Sequence, residues 1–111
     1  LELTGGGTTA VDVQEFDLRI PVQAMPNPFQ GETRVSFSMR QAGLARLEVF
    51  DVNGRRVHMQ QQMLSAGPRL FGWDGNDMSG RPSAPGIYLS RIQGPGLDVV
   101  GKMTRLSPIS R

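Results

Sequence analysis

The stretch WDGNDMSGRPSAPGIY, residues 73–88, has the only tryptophan of the chain at one end and the only tyrosine at the other. Between them lie Gly75, Gly80 and Gly86, two prolines, and a cluster of Asn, Asp and Ser. This is turn chemistry: Gly supplies positive φ, Pro fixes φ, and short polar side chains bond back to the backbone. A strand therefore ends near Trp73, a long turn crosses through Asp74, Gly75 and Gly80, and a new strand starts near Gly86. Both flanking aromatics are large enough to anchor a core.

Working outward, period-two alternation recurs on both sides. Phe71 and Trp73 share one face. Downstream, Tyr88, Ser90 and Ile92 alternate with Ile87, Leu89 and Arg91. Upstream, Val35, Phe37 and Met39 alternate with Arg34, Ser36 and Ser38. Then Ala45, Leu47 and Val49 point inward while Arg46 and Glu48 point outward. Asn53-Gly54 between apolar runs is a strong hairpin signal, expected to close a tight turn with positive φ at both residues.

Residues 55–64 read as a strand returning through that turn, with Val57 and Met59 on one face. Met, Gln and Leu also favour helix, and Val57, Gln61 and Leu64 have helical spacing. Gly94-Pro95-Gly96 is a turn, and residues 97–106 form the last strand. No internal repeat stands out. Six or seven short strands, each bounded by a turn, predict an antiparallel β-sandwich with Val35, Phe37, Leu47, Val49, Phe71, Trp73, Tyr88 and Ile92 in its core.

The 111 residues suit one domain. With no cysteine, stability must come from packing. The net charge is only +2, and eleven of the twelve basic residues are arginines scattered from Arg19 to Arg111. Nucleic-acid binding needs a clustered basic face, so it is not expected. No apolar run approaches the ~20 residues of a membrane-spanning helix. The chain starts at Leu1 with no signal peptide, which suggests a processed or excised piece.

Chemistry-bearing residues are few. His58 is the only histidine, and a nucleophile would need it as base with an orienting carboxylate. It reads instead as a solvent-facing strand residue. Asp74, Asn76 and Asp77 invite a calcium test, because calcium loops array oxygens at alternate positions. Met78 interrupts that array and no closing acid follows before Asp98, so the carboxylates read as acceptors for local amides. No glycine-rich phosphate loop is present. No cofactor, metal or catalytic residue is expected. Tyr88 is expected to bond backbone a few residues upstream, because Pro85-Gly86 brings the chain sharply into its strand.

The residues also follow a family pattern. Asn27-Pro28-Phe29, Glu32-Thr33, Val35, Phe37, Leu47 through Val57, Ala66-Gly67, Trp73-Asp74-Gly75, Asp77, Gly80, Pro85-Gly86-Ile87-Tyr88, Arg91 and Lys102-Met103 occur in that order. The set resembles the immunoglobulin-like module of the flagellar hook-capping protein and the C-terminal sorting domains of type IX secretion substrates. The resemblance covers about residues 24–106. It implies an all-β, antiparallel, immunoglobulin-like sandwich of about seven strands, non-enzymatic, extracellular or on the cell surface. Its implied partners are the outer-membrane export machinery or the other domains of a parent protein. Two features depart from the pattern: Thr104-Arg105 interrupts the last apolar strand, and residues 1–23 lie outside the module.

Residues 1–23 form an N-terminal linker and extra strand, residues 24–106 the sandwich and residues 107–111 a polar tail. In the extra strand, Phe16, Leu18, Ile20 and Val22 alternate with polar neighbours, and a stripe of this kind needs covering. Either the chain's own sheet covers it, or a neighbouring copy does. The second option predicts a self-assembling filament or sheath subunit joined by strand exchange through residues 11–23.

Overall fold

The computed structural model describes residues 21–107. They form seven strands: β1 (Val22–Met25), β2 (Thr33–Met39), β3 (Gly43–Phe50), β4 (Arg56–Leu64), β5 (Gly67–Trp73), β6 (Gly86–Gly94) and β7 (Leu97–Arg105). Two antiparallel sheets result, one in the order β1-β2-β5 and the other in the order β4-β3-β6-β7. This is the all-β sandwich that the alternating stretches predict. Phe16, Leu18 and Ile20 of the expected N-terminal strand lie outside the described residues. Val22 opens β1, pairs with Phe37 and is buried.

Alternation decides the packing. A pleated strand sends successive side chains to opposite faces, so each period-two stretch gives one wall of the core. Val35, Phe37, Leu47, Val49, Phe71, Trp73, Tyr88 and Ile92 all belong to one buried cluster. Phe37 stacks on Phe71 at 5.4 Å between centroids. Phe29 and Tyr88 meet the Trp73 ring edge-on, at 5.6 and 5.5 Å. Edge-to-face contact suits the ring quadrupoles. Phe29 sits among prolines, outside any alternating stretch, so periodicity does not reveal it as core.

The N-terminal part of the fold touches both sheets. β1 pairs with β2, and the chain then crosses to β7. There Phe29 makes a parallel bridge with Arg105. Its amide donates to the Thr104 carbonyl at 3.0 Å, and its carbonyl accepts from the Leu106 amide at 2.7 Å. Asn27 Oδ1 accepts from the Thr104 amide at 2.9 Å. Together these contacts cover the outer edge of β7 near its end. Gly101 of β7 faces β1 closely enough that a Cβ there would collide with Val22 Cγ1.

Three local expectations change. The Asn53-Gly54 turn is longer than a two-residue hairpin: the Gly54 amide donates to the Asp51 carbonyl at 3.0 Å, which makes Val52 and Asn53 the central residues. Only then comes Gly54, at φ 82°. The Asp51 amide donates to the Arg55 carbonyl at 2.9 Å and closes the loop. Asn-Gly serves such three-residue loops as well, with Gly in the left-handed position.

Next, the β3–β4 register shifts between Val49 and Phe50: Phe50 faces Arg56, whereas Val49 faces His58. Val57 is therefore an extra, buried residue, and a bulge of this kind resets the parity of everything after it. His58 turns toward the core side and Met59 toward the outer side, the reverse of strict alternation from Val57. Last, Glu48 points outward as expected yet is buried. Arg56 covers it and donates to Glu48 Oε2 at 2.9 Å.

Candidate functional site

Two turns built alike stand close together on the sandwich. Residues 51–55 read Asp-Val-Asn-Gly-Arg and residues 77–81 read Asp-Met-Ser-Gly-Arg. In each, one carboxylate oxygen accepts two amides of its own loop. Asp51 Oδ1 accepts from Asn53 at 2.9 Å and Arg55 at 3.0 Å. Asp77 Oδ1 accepts from Ser79 at 2.9 Å and Arg81 at 3.1 Å. Each Asp amide donates to its Arg carbonyl, and each Gly amide donates to its Asp carbonyl. Gly54 and Gly80 take φ of 82° and 89°, a conformation Gly adopts at no steric cost. The repeat was readable as Asp-x-Asn/Ser-Gly-Arg, but it is five residues long and easily passed over.

Both turns hold an apolar residue at the tip, Val52 at 73% and Met78 at 62% exposure. Between the turns runs a cleft of about 480 Å³ lined by Val52, Arg55, Pro82, Pro85, Ile87 and Tyr88, among others. Tyr88 fixes its floor by donating its hydroxyl to the Ala84 carbonyl, the upstream bond expected of it. Gly86, at φ 146°, is the point at which the chain bends into β6.

The carboxylates considered for calcium serve this loop. Asp74 Oδ1 accepts from the Asn76 amide at 2.9 Å. Ser79 Oγ donates to Asp77 Oδ1 at 2.6 Å, and that bond leads the causes that hold the Asp77 carboxyl below its ordinary range. Hydrogen bonding to the charged form favours it. Trp73 Nε1 donates to the Asn76 carbonyl at 2.9 Å, tying the start of the crossing to the core. Gly75 packs against Arg105, whose Nε donates to the Gly75 carbonyl at 3.3 Å. Among the described residues, no three His, Cys, Asp or Glu side chains gather as a metal site.

His58 is not solvent-facing. It is half-buried at the open flank of the sandwich, its ring 6.0 Å from Trp73. Burial lowers its pKa, and the nearby Asp74 carboxylate opposes that shift. Gln60 sits within 3.0 Å of His58 Nε2 and donates to the Gly72 carbonyl of β5 at 2.7 Å, which joins the two sheets at this flank. Glu32, His58, Gln60, Trp73 and Asp74 line a second, shallower hollow of about 320 Å³. No nucleophile stands beside His58 in that set.

The family model described as the FlgD Ig-like domain matches residues 23–95, that is 73 of the 111 residues. The chain belongs to the FlgD Ig-like domain family. The members of this family are structural rather than enzymatic. No curated protein matches the chain.

Solved structures carry the same sandwich. Dimeric latent PorU from Porphyromonas gingivalis aligns at a TM-score of 0.64 and 21% identity, over 78% of this chain and 9% of PorU. FlgD from Xanthomonas campestris, whose structure bears on hook capping in flagellar assembly, aligns at 0.56 and 24% identity, over 76% of this chain and 61% of FlgD. PorZ, a surface component of the type IX secretion system of P. gingivalis, aligns at 0.56 and 14% identity, over 90% of this chain and 13% of PorZ. The chain thus spans only a small part of PorU and PorZ and under two thirds of that FlgD. No helix among the described residues is long and apolar enough to cross a membrane.

Proposed function

We propose that this domain is a non-catalytic module of an exported bacterial protein and acts as its C-terminal secretion or structural domain, outside the cell or on its surface. The observation that carries this reading is how the polar residues of the family pattern are used. Asn27, Asp51, Trp73, Asp74, Asp77 and Tyr88 all bond to the domain's own backbone. A pattern devoted to holding turns preserves a shape, and a shape is what a recognition tag or spacer presents. The partners in this reading are the outer-membrane export machinery or the parent protein's other domains.

The test is a reporter. A folded fluorescent protein with an inner-membrane export signal is joined to this chain at its C-terminus and expressed in a bacterium that has a type IX system. The reporter should reach the surface or medium, and Trp73→Ala should hold it in the periplasm. A reporter retained with the intact chain rules out the sorting role.

A filament subunit joined through residues 11–23 has less support. Val22, one of the four residues of the stripe Phe16, Leu18, Ile20 and Val22, is already covered by the chain's own sheets. Deleting residues 1–20 separates the two readings: loss of an assembled form from a still-folded protein would restore the filament.

A further inference from the structure

A sandwich of two open sheets has four edge strands, and unpaired edges invite other chains unless something blocks them. Three of the four carry features that discourage pairing. β1 has only four residues and is followed by Pro26 and Pro28. β7 is covered at its end by Asn27 and Phe29. β5 carries Pro68 and Arg69, and its Gly72 carbonyl already accepts from Gln60.

β4 is the exception. It is nine residues long and contains no proline, lysine or acid. Its only strongly charged residue is Arg56, at the bulged end. From Met59 to Leu64 it reads Met-Gln-Gln-Gln-Met-Leu. Among the described residues no strand pairs with its outer edge.

We infer that this edge is a homotypic docking strand, with β4 of a second copy pairing antiparallel to it about a two-fold axis at Gln61. The strand is self-complementary. Antiparallel partners directly opposite each other lie on the same face, so a two-fold axis at Gln61 sets Gln61 against Gln61 and Met59 against Met63 of the other copy. Met59, Gln61 and Met63 are on the outer face, opposite Glu48, Arg46 and Leu44 of β3. On the inner face Gln60 meets Gln62, and His58 meets Leu64. No like-charged side chains oppose each other, because Arg56 falls beyond the partner's Leu64. Met63 is 68% exposed in the single copy and gains an apolar neighbour in the pair.

Across the axis each Gln61 amide, which carries both donors and an acceptor, can exchange a side-chain hydrogen bond with its copy. The result is one continuous eight-stranded sheet, twice the four strands of the order β4-β3-β6-β7. A two-fold contact of this kind closes and stops at a dimer. It does not involve residues 11–23 and stands apart from the export reading.

Sedimentation equilibrium on the full chain, with Gln61→Lys and Gln61→Glu, tests it. Gln61 is exposed, so both variants should fold, as circular dichroism and thermal melting would verify. The unsubstituted chain should show a concentration-dependent dimer. Each variant alone should associate at least about tenfold more weakly, because like charges then face each other at the axis. An equal mixture of the two should recover the dimer, because lysine then faces glutamate. A chain monomeric at millimolar concentration overturns the inference. So does a dimer that both variants retain, or weakening in both without recovery in the mixture.

Discussion

The guanidinium carbon of Arg105 lies 5.9 Å from the centroid of the Phe29 ring. Arg105 is only 5% exposed. Beyond that cation–π contact, it donates to the carbonyls of Gly75 and Leu106, each at 3.3 Å. One buried cation therefore joins the N-terminal crossing, the long loop and the end of β7. The geometry depends on a planar fork, so lysine cannot replace it. Arg105→Lys should lower stability by about 1–3 kcal/mol, the cost of leaving buried hydrogen-bonding groups unsatisfied. Urea unfolding would detect the change, and an unaltered midpoint would remove Arg105 from this role.

Trp73 is held by its rings and by its nitrogen. Trp73→Ala should cost about 3–5 kcal/mol through lost burial and a cavity. Trp73→Phe keeps much of the packing but leaves the Asn76 carbonyl without its donor, so it should fall between the parent and Trp73→Ala. Calorimetric melting orders the three proteins, and a Trp73→Ala protein with unchanged melting contradicts the packing described.

Tyr88→Phe removes one oxygen. The Ala84 carbonyl loses its partner, for a cost of about 1–2 kcal/mol. The 480 Å³ cleft above it should also loosen. Hydrogen exchange at the Ser83, Ala84 and Gly86 amides should speed up, while β3 amides remain as protected as before.

Gly101 marks where β1 lies on β7. Gly101→Ala places a methyl against Val22 Cγ1 and should cost about 1–3 kcal/mol. Adding Val22→Ala makes room, so the double variant should be less destabilised than the sum of the two single changes. Strict additivity would mean that the strands do not touch there.

His58 predicts a pH dependence whose sign is fixed. Burial depresses its folded pKa below the ordinary 6.5. As pH falls through 6.5, the unfolded chain takes up a proton that the folded chain resists, so stability declines until the folded pKa is passed. Above 6.5 the contribution is complete. His58→Gln should flatten the stability profile between pH 7 and 5. The depressed Asp77 carboxyl acts separately, its contribution being lost only as pH falls below the ordinary 3.8 toward the lower folded value.

Much of this was legible in the sequence. Alternation located β2, β3 and β6, because a strand with one wet face has little freedom in its pattern. The two turns at Asp51 and Asp77 announced themselves by composition. What escaped were effects of a single inserted residue or of long arms reaching across. The bulge at Val57 reverses the faces of His58 and Met59, and no residue type announces a bulge. Glu48 is buried by the reach of Arg56, which periodicity does not register. Arg105 had a usable signal, since it shares its parity with the buried Met103 and Leu97. Its charge argued for the surface and masked that position.

The parallel bridge between Phe29 and Arg105 also sets how the domain answers mechanical load. If it is tethered at both ends and pulled, the segment leading into Phe29 and the segment leaving Arg105 are drawn in opposite directions along neighbouring, parallel backbones. The bonds from Phe29 to Thr104, from Leu106 to Phe29 and from Thr104 to Asn27 then lie in shear and bear the force together. An antiparallel pair loaded at its adjacent ends would open one bond at a time, like a zip. The seam between the two ends of the fold is therefore a clamp loaded in shear, in series with the β1–β2 pairing that precedes it along the chain.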